Sequence, residues 1–221
     1  IERPIVFPGN DVPGVMLAGS IFKYAQTFGL APAGNIVLLT NNDSTYEVAL
    51  GLRNLGAASV VIIDIRSEVS SEARKYGKDA GVEVLTGKAV TGTKGRKTLD
   101  AIIFQNFDFQ SGKLTGGKRE IPCSVLGVSG GWSPNIQLAS QGGGKPVWDE
   151  AIQAFLSPEP IPGYAFKSVG AASGEGLPVP APVLEIRASD SKQKAFVDFQ
   201  TDVTSDDLRQ AVREGYGASE H

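Results

Sequence analysis

The residues best placed to do chemistry are Thr40-Asn41-Asn42-Asp43-Ser44-Thr45, together with Asp64. Hydroxyls beside the free amide N–H groups of a helix start can hold a phosphate. A carboxylate roughly 20 positions further on is placed to bind a ribose. The chemistry in view is recognition of a dinucleotide, with Thr40, Asn41, Ser44 and Thr45 at the phosphates and Asp64 at the sugar. The usual fingerprint for that task is G-x-G-x-x-G, because glycine lets backbone approach a pyrophosphate closely. Here the acid is kept and the glycines are gone.

A second reading competes. Asn, Asp and Ser side chains satisfy turns and cap helices by themselves, at roughly 1 kcal/mol each. Asp43 would place negative charge where a pyrophosphate should sit, and two like charges about 4 Å apart near a protein surface cost roughly 4 kcal/mol. The self-capped loop is therefore favoured, with Asp64 closing a strand end.

The elements that must position this loop read clearly. Residues 35–40 (NIVLLT) and 59–64 (SVVIID) are buried-type strands, and residues 45–55 carry helical spacing on Tyr46, Ala49, Leu50, Leu52 and Leu55. Gly56 stops that helix. The spacing predicts an earlier helix over 17–28 with Leu17, Ile21, Tyr24, Ala25 and Phe28 as its core face, and a charged helix over 70–80 stopped by Gly81. Strand 82–86 follows, then extended segments 89–94 and 99–105 around a turn at Gly95-Arg96-Lys97, and another pair around Gly112 and Gly116-Gly117. The basic residues near these turns, Lys94, Arg96, Lys97, Lys113, Lys118 and Arg119, are expected to be solvated. Phe104, Phe107 and Phe109 either complete a core or mark an interaction surface.

Composition removes several classes of function. The 221 residues, 41% hydrophobic with 27 Gly and 13 Pro, suit one large or two small α/β domains. No apolar run approaches the roughly 20 residues that span a bilayer, so no membrane role is expected and a cytoplasmic address is the default. A net charge of −3 with interspersed signs gives nucleic acid no attraction. The sole histidine is His221 and the sole cysteine Cys123, which leaves no catalytic Ser-His or Cys-His pair, no metal site and no internal disulfide. Cys123 reads as a structural thiol. No residue is nominated as catalytic; a bound cofactor or another segment must supply the hard chemistry.

Two βαβ crossovers followed by antiparallel excursions resemble the nucleotide domain of flavoprotein disulfide reductases. The run Cys123-Ser124-Val125-Leu126-Gly127-Val128-Ser129-Gly130-Gly131-Trp132-Ser133-Pro134-Asn135 resembles that family's junction strand. The run Gly163-Tyr164-Ala165-Phe166-Lys167-Ser168-Val169-Gly170-Ala171-Ala172-Ser173-Gly174 resembles the strand and helix start that close its flavin site, with Gly170-Ala171 where Gly-Asp is usual. The polar turn 40–46, Ser129-Gly130-Gly131-Trp132-Ser133-Pro134 and Trp148-Asp149-Glu150-Ala151 together resemble the alpha subunit of heterotetrameric sarcosine oxidase. A related amine or opine dehydrogenase, or a non-catalytic interaction module, remains the alternative.

This resemblance implies an oxidoreductase complex that demethylates sarcosine to glycine with release of hydrogen peroxide and passes the one-carbon unit to tetrahydrofolate. It implies NAD, with a structural role, in this part of the complex, and FAD and FMN in the whole. It also implies other sarcosine oxidase subunits as partners and a folate domain lying outside this chain. Gly170, Ala171, Ala172 and Leu177 would be the closing wall of the NAD site, whose glycine-rich loop is expected before Ile1. The chain is thus expected to be an internal fragment. The expected fold is α/β: residues 34–122 an inserted Rossmann-like three-layer domain with an antiparallel β excursion, and 1–33 and 123–176 parts of a second FAD/NAD-type domain. Residues 177–221 are expected to be a Pro-rich linker and a remnant of an iron–sulfur-type small domain, with Asp198 and Gln200 where a Cys-x-Cys pair would be needed.

Overall fold

The computed structural model describes residues 1–221 except 31, 158–162, 164, 166, 184 and 217–221. Tyr164 and Phe166 of the closing motif, and His221, lie outside the described residues. In chain order the elements begin with β1 (Val15–Leu17), α1 (Ala18–Phe28), β2 (Asn35–Thr40), α2 (Ser44–Asn54), β3 (Ser59–Asp64), α3 (Ser71–Ala80) and β4 (Glu83–Thr86). There follow β5 (Lys88–Lys94), β6 (Ala101–Asp108), β7 (Lys113–Pro122), β8 (Val125–Ser129) and the short α4 (Gln137–Gln141). The chain closes with β9 (Val147–Asp149), β10 (Ala154–Leu156), β11 (Phe196–Asp198), β12 (Val203–Thr204) and α5 (Ser205–Arg213).

The central sheet has the order β1-β8-β2-β3-β4 with every neighbour parallel. A parallel sheet must be covered on both faces, and successive residues of β2 are divided between the two covers. Ile36 and Leu38 pack with Ile62 under the helices, against Ala18, Ile21, Ala49, Leu52 and Ala73. Val37 and Leu39 pack with Ile63 on the other side, against Ile102, Phe104 and Phe107 of the antiparallel β5-β6-β7 sheet. The result is the expected three-layer α/β arrangement. Phe104 and Phe107 are core, and Phe109 packs beside them, which argues against an interaction surface there.

The parallel sheet runs through the expected domain limits near residues 34 and 122. Val15–Leu17 pair with residues 126–128, and Val125–Ser129 pair with residues 36–40, in the same hydrogen-bonded layer as β3 and β4. The expected core face of α1 is corrected: Ile21 and Ala25 are buried, but Tyr24 and Phe28 are 50% and 63% exposed and lean on each other with ring centroids 5.9 Å apart. Helical period identified a stripe without fixing its centre. The stripe that meets the sheet is Ala18-Ile21-Ala25, and Phe22 reaches sideways to Gly51 of α2, where an added Cβ would lie 2.4 Å from the ring.

The segment from Leu177 to Ala188, expected as a linker, is tied to the body of the domain at two described residues. Ala181 donates its N–H to Asn41 O (2.9 Å), and Ile186 donates to Val6 O (2.8 Å). Thr204 and Asp207 form a capping box at the start of α5.

Close approach of α1 to β8 depends on Gly127, where an added Cβ would lie 2.6 Å from Leu38 Cδ2 and 2.8 Å from Ile21 Cδ1. Overpacking of a filled core costs about 1–3 kcal/mol. Gly127→Ala is expected to lower the unfolding free energy by that amount, read as a lower urea midpoint with the slope of the transition unchanged.

Candidate functional site

The carboxyl ends of β2 and β8 lie side by side, Thr40 beside Ser129, on the edge of the sheet outside which open parallel sheets bind ligands. All the residues nominated in the turn converge there. Thr40, Asn41, Asn42 and Thr45 are fully buried. Thr40 Oγ1 donates to Asn42 O (2.9 Å) and accepts from the Asn42 N–H (3.1 Å) and the Thr45 hydroxyl (2.9 Å). Asn41 Nδ2 donates to the carbonyls of Ala181 (2.9 Å) and Val183 (3.1 Å), drawing segment 181–183 over the turn.

Asn42 fills the gap between the two strands. Its Nδ2 donates to the carbonyl and hydroxyl oxygens of Ser129, each at 3.2 Å, and to Asn41 Oδ1. Its Oδ1 accepts from the Ser44 N–H (3.1 Å) and the Ser44 hydroxyl (2.6 Å), and Trp132 Nε1 donates to that same hydroxyl (2.9 Å). Asn42 is thus the side chain that caps α2. Asp43, at the cap position itself, has helical backbone and makes no side-chain cap; it pairs with Arg66 Nη1 at 2.7 Å.

Asp64 lies at the neighbouring strand end, fully buried. Its Oδ1 accepts from the Arg66 backbone N–H (2.9 Å) and Nε (3.0 Å), and its Oδ2 from Arg66 Nη2 (2.7 Å) and the Tyr46 hydroxyl (3.0 Å). Burial, and then the Asp64 charge, push the Tyr46 phenol well above its ordinary range, so it stays a donor. Both carboxylate oxygens are therefore committed, and none faces a sugar.

The other helix starts along this edge are closed in the same way. Glu2 Oε2 accepts the Gly19 N–H (2.9 Å) at the start of α1, where Leu17 offers no cap. Burial raises the Glu2 carboxyl above its usual value, and hydrogen bonds from Ser129 and Gly19 oppose that rise. Ser70 Oγ caps α3 by accepting from the Ala73 N–H. A pyrophosphate does not fit the β2–α2 turn as built: its helix-start amide is taken by Asn42, Arg66 is engaged by two carboxylates, and no glycine opens the backbone.

The second nominated group is split. Gly170–Ser173 form a 3-10 turn on the surface, with Gly170 at φ 58 and its carbonyl accepting from the Ser173 hydroxyl and the Glu175 N–H. Leu177 instead lines a cleft of about 480 Å³ with Ser44, Glu47, Glu72, Tyr76 and Trp132. Gly170, Ala171 and Ala172 are not among its walls. Of the six turn-tip cations, Lys94 pairs with Glu120, Lys118 pairs with Asp190, and Arg119 lies over the Phe104 ring. The Cys123 thiol is buried and its pKa is pushed up by that burial to about 11. Glu2, Tyr46, Arg66 and Trp132 carry much of this site and were not nominated from sequence. Only the position of Arg66, two residues after Asp64, hinted at its role.

The sarcosine oxidase A3 domain family matches residues 192–221. The sarcosine oxidase alpha subunit of Rhizobium meliloti (strain 1021) is 35% identical over 97% of this chain and 24% of its own length. The corresponding protein of Corynebacterium sp. (strain P-1) is 33% identical over 100% of this chain and 26% of its own. An opine oxidase subunit from Agrobacterium tumefaciens (strain Ach5) is 24% identical over 79% of this chain and 37% of its own. The chain spans about a quarter of the length of the two sarcosine oxidase relatives.

Replacing Asn42 by Ala strands the Ser44 N–H and the Ser129 oxygens in a buried place, which costs about 1–3 kcal/mol. Asn42→Ala is expected to lower Tm by roughly 2–4 °C for each kcal/mol lost in a domain of this size, read by differential scanning calorimetry. Asp64→Asn leaves the Arg66 charge with Asp43 alone and is expected to cost more, about 3 kcal/mol.

Proposed function

This chain belongs to the sarcosine oxidase alpha subunit family along a stretch about a quarter as long as those relatives, and on that premise we propose that it is a structural and nucleotide-facing part of an amine-oxidising complex. The complex would be a heterotetramer that oxidises the N-methyl group of sarcosine, leaving glycine, reducing oxygen to hydrogen peroxide and handing the one-carbon unit to tetrahydrofolate. FAD, FMN and the folate site would belong to other segments or subunits.

The observation that carries the reading is the state of the sheet's carboxyl edge. Three helix starts are closed by Glu2, Asn42 and Ser70, so the chain spends its polar groups on holding itself together. No side chain at the turn is left to move a proton at a substrate atom: Asp64 is saturated by Arg66 and Tyr46, and Thr40 and Thr45 bond each other. The nucleotide part of the reading rests on the resemblance at Gly170–Ser173, a 3-10 turn with no buried residue. NAD, when bound, would supply a scaffold rather than a hydride. Gly170, Ala171 and Ala172 would form one wall, with Leu177 on the far side of the closing segment and the phosphate loop contributed from elsewhere.

Titration of the chain with NAD(H), followed through backbone amide NMR shifts, tests this division. The Asn41–Thr45 amides are expected to stay unmoved, with any shifts confined to 170–177; saturable micromolar shifts at Asn41–Thr45 would overturn the self-capped loop. In a sarcosine-dependent peroxide assay the chain by itself is expected to give no signal above buffer.

A further inference from the structure

Glu2 is a buried carboxylate with no cation paired to it. Residues 1–3 run against the turn after β8: Glu2 bridges Trp132 in antiparallel sense, Arg3 N donates to Gly131 O (2.8 Å) and Gly130 N donates to Arg3 O (2.6 Å). Glu2 is thereby held at 9% exposure, and its side chain reaches the first turn of α1. Its Oε2 accepts the Gly19 N–H at 2.9 Å. A Cβ added at Gly19 would lie 2.8 Å from that oxygen and 3.6 Å from the Trp132 ring, so any larger residue there would have to displace the carboxylate.

The groups around the carboxylate come from four elements. On its own segment the Ile1 ammonium is the one charge that acts on it, favouring the ionised form, while the Arg3 guanidinium gives an Nη1 hydrogen to Gln153 O. From α1 comes the Gly19 N–H, from β8 the Ser129 hydroxyl, and from the turn after β8 the Trp132 ring. No lysine or arginine among the described residues forms an ion pair with Glu2. A carboxylate kept from water without a cation beside it favours its neutral form. Here burial outweighs the hydrogen bonds from Ser129 and Gly19, so Glu2 titrates above the ordinary carboxyl value.

Protonation changes what the side chain can do. An ionised carboxylate only accepts, whereas a carboxylic acid has one O–H to give; a serine hydroxyl has one hydrogen and two lone pairs. With Glu2 ionised, the Ser129 hydrogen goes to the carboxylate, and Asn42 Nδ2 donates to Ser129 Oγ at 3.2 Å. With Glu2 protonated, its O–H has Ser129 Oγ as acceptor, and the serine hydrogen must turn elsewhere. We propose that Glu2 and Ser129 form a proton-operated contact that couples the start of α1 to Asn42, and through Asn42 to the start of α2. One proton taken from solvent reverses the direction of the Glu2–Ser129 hydrogen bond, while Oε2 stays with the Gly19 N–H. The contact lies apart from Gly170–Leu177 and does not depend on the nucleotide reading above. A carboxyl that holds its proton better in the folded chain than in the unfolded one contributes stability below its ordinary value, and that contribution is lost as pH rises through the raised value.

The test is an NMR titration of the full chain from about pH 7.5 to about pH 4, following the Gly19 backbone amide and the Asn42 side-chain amide together. Both are expected to inflect at one pH, above the ordinary carboxyl value of 4.5. Glu2→Gln keeps an acceptor for Gly19 and is expected to remove that shared inflection. Ser129→Ala takes away a hydrogen bond that favours the ionised form, and is expected to move the Gly19 inflection to higher pH. In urea unfolding over the same range, the parent is expected to gain stability relative to Glu2→Gln as the pH falls. The proposal is overturned if Gly19 inflects at or below the ordinary value or not at all, if the Asn42 amide stays silent through the Gly19 inflection, or if Ser129→Ala leaves the midpoint in place. Should Ser129→Ala fail to fold, the parent and Glu2→Gln curves decide alone.

Discussion

The structure depends on how the gap between the carboxyl ends of β2 and β8 is filled. Beyond the last paired residues of adjacent parallel strands lies the space into which the amide groups of a following helix point. In this chain that space holds the carboxamide of Asn42. A carboxamide has two donor hydrogens and one acceptor oxygen with two lone pairs. The donors are shared among Ser129 and Asn41, and the oxygen takes the N–H and O–H of Ser44. With its capacity used up, Asn42 ties β2, β8 and α2 together and leaves nothing facing outward. Asn41 then takes hold of Ala181 and Val183, so the strap covering the edge is a consequence of the same turn.

Charge follows the same logic at the next strand end. Asp43 and Asp64 share the single guanidinium of Arg66. A cation that might have drawn a phosphate to the start of α2 is thereby spent on internal carboxylates. The pair is buried on the Asp64 side, where desolvation takes back much of the Coulomb gain, so its role is to fix geometry more than to add net stability. Tyr46, locked to Asp64 from the first turn of α2, carries that geometry into the helical layer.

How much of this was legible follows from the range of each interaction. Strands 35–40 and 59–64 were readable to the residue because a sheet buried on both faces demands unbroken apolar runs. The capped turn was readable in kind, since Asn, Asp and Ser act within a few residues of themselves. Which of them caps was not: Asn42 wins over Asp43 because Ser129 waits across the gap, 87 positions later. Asp64 kept a ribose-like position in sequence, and only the bend after β3 brings Arg66 back onto it. Tyr24 and Phe28 had the right period and the wrong neighbours, because α1 packs on β1 and β8 at the sheet's margin. Nothing in the residues flanking Glu2 and Arg3 reveals that one meets Gly19 and the other Gln153.

The two positions along the carboxyl edge therefore have opposite electrostatic character. Beside α2, two carboxylates surround one guanidinium and the helix start is closed. Beside β8, the Arg3 guanidinium pairs with no carboxylate among the described residues and gives one N–H to the Gln153 carbonyl. Helix-start amides offer partial charge that a neighbouring carboxamide can satisfy one N–H at a time, as Asn42 does at Ser44, whereas a guanidinium carries a full charge that a single carbonyl such as Gln153 O does not balance. On this edge the polar side chains are turned inward, Asn42 onto Ser44 and Ser129 and Arg66 onto Asp43 and Asp64, so the loop that a dinucleotide fold would open to a ligand serves here to join strands to helix.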